Sequence, residues 1–129
     1  MIEWTFPINP TAASRARVSF KGGHGYFIGP YKRFRDEMKD LVPSTIGDWV
    51  PLAGPISVTV EFVAQRPKTT KLNSPRGDID NYMKAIFDAL NERAWVDDKQ
   101  ICICHARKAW TASNDEPGYI KVSIEELPE

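Results

Sequence analysis

Two short acidic runs carry the chemistry most open to interpretation: Asp78-Ile79-Asp80-Asn81 and Asp97-Asp98. Hard cations such as Mg²⁺ take oxygen ligands, commonly one or two carboxylates completed by water and substrate phosphates. Carboxylates brought together repel one another unless a cation lies between them. A centre of that kind suits phosphodiester hydrolysis, in which the ion holds a phosphate oxygen, acidifies water and stabilises the leaving oxygen. Asp80, Lys84 and Asp88 follow at intervals of four, which puts them on one side of a helix. Lys84 beside an ion at Asp80 would bind a phosphate or stabilise developing charge. The same residues also have ordinary uses. Asp78 is a good helix N-cap, Asp97-Asp98 fits a turn, and an Asp–Lys–Asp row is a common solvated face, each pair worth about 0.2–0.5 kcal/mol.

These residues need elements to hold them. Asp78 to Asn91 is the clearest helix, with Ile79, Met83, Ile86, Phe87 and Leu90 as its apolar stripe. Its ends lie roughly 20 Å apart at 1.5 Å per residue, so the chain must turn back at Trp95 for Asp98 to approach Asp80. Alternation predicts strands at Ile2–Phe6, Arg15–Phe20, Tyr26–Ile28, Ile56–Phe62, Gln100–Trp110 and Tyr119–Ile124. The Lys21–Gly25 stretch reads as a hairpin turn, and Asn114–Gly118 as another. A first helix starts near Pro30, runs through Tyr31, Phe34, Met38 and Leu41, and is expected to end before Pro43. Trp49, Val50 and Leu52 predict a packed segment, and Gln65–Gly77 a mobile basic loop. The order predicts one α+β domain over residues 1–129, two main helices packed on a mixed sheet.

The composition, 42% hydrophobic and 26% charged, is that of a globular domain. No apolar run is long enough to span a bilayer, and the N-terminus lacks a secretory pattern; the expectation is a cytoplasmic protein. Net charge is zero, from 17 basic and 17 acidic residues, which excludes a uniformly basic coat. The charges are segregated, however. Up to residue 35, Glu3 faces Arg15, Arg17, Lys21, Lys32, Arg33 and Arg35, and Gln65–Gly77 holds Arg66, Lys68, Lys71 and Arg76 with no acid. A neutral chain can therefore present basic surface around an acidic pocket. Cys102, Cys104 and His105 lack a second ligand pair for zinc, His24 being the other histidine. The two thiols, on one face of a strand opposite Ile101 and Ile103, are expected to be buried and structural.

The run from Arg76 through Asp78-Ile79-Asp80-Asn81, Lys84 and Asp88-Ala89-Leu90-Asn91, then Val96-Asp97-Asp98-Lys99-Gln100-Ile101, resembles the RusA-type Holliday-junction resolvases. Ser14-Arg15-Ala16-Arg17 stands where that family often has a Lys-x-Arg-Pro-Arg segment, so the resemblance spans most of the chain. It implies a homodimeric endonuclease that cuts four-way DNA junctions with Mg²⁺, or Mn²⁺ in its place. By the motif, Asp78, Asp80 and Asp98 bind metal and Lys84 is essential. Asp97 and Asp88 are a possible further ligand and a support. Arg15, Arg17, Lys68, Lys71 and Arg76 are the expected DNA contacts, and bacterial or prophage origin is usual in the family. Two features depart from the pattern: the neutral charge, and Gly77 where a basic residue is common. An idle branched-DNA-binding protein and a general Mg²⁺-dependent flap or fork nuclease are the alternatives. The pairing surface is not readable from the chain, although the tryptophans and the Leu41–Leu52 region offer apolar candidates.

Overall fold

The computed structural model describes residues 1–18, 23 and 25–128. Strands β1 (Ile2–Phe6), β2 (Arg17–Val18) and β3 (Gly25–Tyr26) lead into helix α1 (Gly29–Ile46). Strand β4 (Ile56–Ala64), helix α2 (Ile79–Leu90), a 3-10 turn at Asp98–Gln100, β5 (Ile101–Trp110) and β6 (Tyr119–Glu126) follow. Ser19, Phe20, Lys21, Gly22 and His24, and with them most of the expected hairpin turn, lie outside the described residues.

The main sheet runs β1-β6-β4-β5. β6 pairs antiparallel with both β1 and β4, whereas β5 lies parallel to β4. A parallel neighbour requires a crossover, and α2 is that crossover, so the helix bearing Asp80, Lys84 and Asp88 bridges the two parallel strands. The fold is thus the expected α+β domain with a mixed sheet. Ile56, Val58, Val60 and Phe62 of β4 and Ile120, Val122 and Ile124 of β6 are buried in one cluster with Tyr31, Phe34, Met38, Met83 and Ile86 of the helices. Ser57, Thr59 and Glu61 point to the other face, where Arg107 and Lys121 meet Glu61 and Glu3 at 3.5 Å. One covered face and one wet face produce the alternation seen in β4 from Ile56 to Phe62, after which Val63 and Ala64 are both buried.

Three local expectations need correction. α1 does not stop before Pro43 but contains it. Proline removes one helical N–H, yet Tyr31, Phe34, Met38 and Val42 bury one stripe of the helix, and packing outweighs the lost bond. Val50 is 78% exposed rather than packed, while Trp49 next to it is held by its indole N–H to the Ala94 carbonyl (3.1 Å) and edge-on to Trp4. Cys102 and Cys104 are exposed, not buried. Both lie on an edge strand that is exposed over most of its length, and the register also shifts there: Ile56 pairs with Ile101 but Ser57 with Ile103, so Cys102 is one extra residue on β5. A one-residue slip exchanges faces. Ile103 therefore follows Ser57 onto the wet face, and Cys104, opposite Val58, turns toward the helices. β5 is also the edge of the sheet, with no further strand beside it among the described residues.

Candidate active site

The return of the chain over α2 depends on three backbone hydrogen bonds. Leu52 N–H donates to the Ala94 carbonyl (3.1 Å), Val96 N–H to the Leu52 carbonyl (3.0 Å), and Ala94 N–H to the Leu90 carbonyl (2.8 Å). Trp95, wholly buried, is fixed by this clasp and packs edge-on against Phe87. A buried indole needs an acceptor for its N–H, and it donates to Asp98 Oδ1 at 2.6 Å. Asp98 N–H in turn donates to Asn91 Oδ1 at 3.1 Å. The two neighbouring acids thus separate. Asp97 accepts from Lys99 N–H and closes a capping box with Gln100. Asp98 turns inward to line a shallow cavity with Asp80, Lys84, Asp88 and Cys104.

This cavity, of about 470 Å³, brings together one carboxylate from beyond α2 and two carboxylates and a lysine from α2. Asp80 Oδ1 also accepts from Asn81 N–H, and Tyr31 of α1 donates its hydroxyl to Asp88 Oδ2 at 3.3 Å. Burial pushes the Asp98 carboxyl above its ordinary range; the Trp95 bond opposes this, and the charges of Asp88 and Asp97 add to it. Such a group favours neutralisation by a proton or a cation. Although Cys104 is exposed as a residue, partial desolvation of its thiol at the cavity wall raises the thiol pKa above its usual range, which makes it a poor partner for a soft metal. Among the described residues, no three His, Cys, Asp or Glu side chains form a ready-made metal cage. Carboxylate oxygens are donors of the type that hard ions take, completed by waters and phosphate, whereas a closed structural zinc centre needs four protein ligands.

Asp78 holds the N-cap position of α2 without a side-chain capping bond, its backbone carbonyl accepting from Asn81 and Tyr82. It is exposed and does not line the cavity. Gly77 before it has a packing reason: a Cβ there would lie 2.8 Å from the Tyr82 ring. The basic segments border this region. Ala13 N–H donates to the Asn81 carbonyl (2.9 Å), setting Ser14 and Arg15 beside the first turn of α2, and Arg15 and Arg17 line a groove with Pro30 and Tyr31. Lys68, Lys71 and Arg76 are exposed on the 65–77 segment. Lys108 fastens that segment by donating to the Pro75 and Gly77 carbonyls (2.9 and 2.8 Å), and Trp110 donates to the Leu72 carbonyl (3.0 Å).

A family model described as endodeoxyribonuclease RusA matches residues 7–125. The chain belongs to the RusA family. It is therefore a member of a family of DNA endonucleases, and the matched region contains every acidic residue of the cavity. A relative named Uncharacterized protein YqaN, from Bacillus subtilis (strain 168), is 28% identical over 141 residues, covering 98% of this chain and 96% of its own. Among the described residues, no helix is long and apolar enough to cross a membrane. The supports that sequence reading missed are Trp95, Asn91, Tyr31 and Lys108. Only Trp95 carries a local signal, the unsatisfied indole N–H of a large aromatic residue beside two acids.

Proposed function

We propose that this RusA-family chain is a Mg²⁺-dependent endodeoxyribonuclease, Mn²⁺ substituting, that resolves four-way (Holliday) DNA junctions as a homodimer. The observation that carries the reading is the shared cavity of Asp80, Lys84, Asp88 and Asp98. Asp80 and Asp98 would hold the ion, with Asp88 on its flank and Asp78 able to turn in from the exposed helix cap. A bound divalent ion supplies charge neutralisation at the phosphate and a water of lowered pKa. Lys84 binds the scissile phosphate and offsets charge developing on it. Trp95 and Asn91 keep Asp98 in place, and Tyr31 keeps Asp88. Hydrolysis leaves a 5′-phosphate and a 3′-hydroxyl. Arg15, Arg17, Lys68, Lys71 and Arg76 hold the DNA backbone around the cavity.

The dimer surface is assigned to the free edge of β5. From Ile101 to Ala106 that edge carries no Lys, Asp, Glu or Pro, the devices that normally keep an edge strand single. Ile103 is 44% exposed on it. The tryptophan candidates are occupied internally, Trp95 in the core and Trp4 against Trp49.

Labelled four-way junction, fork and plain duplex, each with Mg²⁺ or EDTA, test the activity. Paired cuts in the junction, absent in EDTA and reduced on the order of 100-fold or more in Asp80→Asn, are the expected result. Undiminished cutting by Asp80→Asn would sink the metal assignment. Binding without nicks would leave an idle branched-DNA binder, and equal cutting of fork and junction a general nuclease.

A further inference from the structure

A second cavity, of about 170 Å³, lies between α1 and α2 directly beside the acidic one. Asp88 lines both, so the two form a continuous surface. The floor of the second is apolar, from Phe34, Met38 and Ala85, and three cations stand around it: Arg35 and Lys39 of α1 and Arg93 beyond the end of α2. Among the described residues none of the three is in an ion pair; the nearby Lys32–Asp36 pair uses a different cation and acid of α1. Asp88 is the one carboxylate in the lining, and it already accepts from Tyr31.

Arg35 is held without an acidic partner. Its guanidinium lies 4.4 Å from the centre of the Phe27 ring and 5.6 Å from that of Tyr31. Aromatic stacking holds a guanidinium while leaving its N–H donors for a planar or tetrahedral anion. Three cations that make no ion pair of their own among the described residues, two of them exposed, stand around an apolar floor and give the groove a positive rim that complements an anion. A polyanion with apolar surface between its charges, running on from a phosphate in the acidic cavity, matches both the rim and the floor.

We infer that the α1–α2 groove is a phosphodiester-binding track. Arg35, Lys39 and Arg93 take the DNA phosphates flanking the scissile one, and the deoxyribose faces rest on Phe34 and Met38. The inference rests on the nuclease reading for the direction of the strand, but not for the existence of the track. Asp88 is then the divider between a cation-binding half and an anion-binding half.

The experiment measures binding of a labelled four-way junction in EDTA across a salt series, for the full chain, Lys39→Glu/Arg93→Glu, and Lys121→Ala as a remote control. The double variant is expected to bind roughly tenfold or more weakly at low salt, with a log–log salt slope shallower by about 1.8, near 0.9 for each phosphate no longer neutralised. The control is expected to match wild type. Should the charge reversal unfold the chain by thermal melt, Lys39→Gln/Arg93→Gln replaces it, with the same loss of slope expected. An unchanged affinity and slope, or a wild type that binds no DNA, overturns the track. Loss of binding in the variant together with no Mg²⁺-dependent cutting by wild type leaves the track standing and sinks the nuclease reading.

Discussion

Asp97 and Asp98 are adjacent and chemically identical, yet one closes a capping box and the other faces the cavity. The difference is set by Trp95, whose indole N–H binds Asp98. Burial holds the Asp98 carboxyl above its ordinary range, so the metal-free native state binds that proton more tightly than the unfolded chain does. The stability it contributes is present below the unfolded carboxylate range, about pH 4, and is lost as pH rises through the folded value. Asp98→Asn, which keeps an acceptor for the indole, should abolish that loss. In EDTA at neutral pH its melting temperature is expected to equal or exceed that of wild type, the gap closing in acid, while Mg²⁺-dependent cutting falls on the order of 100-fold or more. A neutral-pH melting temperature several degrees below wild type would contradict this account of Asp98.

At the scale of elements, Lys108 joins β5 to the basic 65–77 segment through two carbonyls. Lys108→Met keeps the stem and removes the donors. The loss is expected to be about 1–3 kcal/mol, as for charged hydrogen bonds to partly buried acceptors, read by urea titration. Trypsin should then cut earlier at Lys68, Lys71 and Arg76; an unchanged digestion time course would show that Lys108 does not hold the segment. The elements also mark how much can be read from residues alone. The alternation of β4 from Ile56 to Phe62 and the four-residue row of Asp80, Lys84 and Asp88 are local patterns that appear in the fold as expected, whereas the apolar stripe of α2 is shifted: Met83, Ile86 and Leu90 are buried with Tyr82 and Ala85, and Ile79 is left 38% exposed. Sequence ends α1 too early because a proline is a local signal, whereas the burial of Val42 that carries the helix to Pro43 and beyond is a tertiary one. The thiols of β5 read as buried because Ile-Cys-Ile-Cys alternates equally well in either register, and only pairing with β4 reveals the extra residue. Nothing local announces that Leu52 clasps Ala94 and Val96, and without that clasp Asp98 has no path back to Asp80.

For the whole molecule, a zero net charge divided into basic surface and an acidic cavity predicts that DNA affinity falls steeply with salt despite neutrality. Pairing through β5 predicts that Ile103→Lys, which charges the free edge, sediments as a monomer and leaves single nicks where wild type makes paired cuts; a variant that still sediments as a dimer would place the interface elsewhere. The extra residue at Cys102 makes β5 forgiving at one point and unforgiving everywhere after it. Excising Cys102 would leave Ile103 opposite Ser57 and Lys108 opposite Phe62, every later partner being the one it has now. Excising Ala106 instead would draw Arg107 opposite Val60, onto the helix side of the sheet, and swing Lys108 out beside Glu61, releasing the basic segment. Two shortened chains of equal length and with every aspartate intact would then differ completely, one folding and cutting as before and the other doing neither.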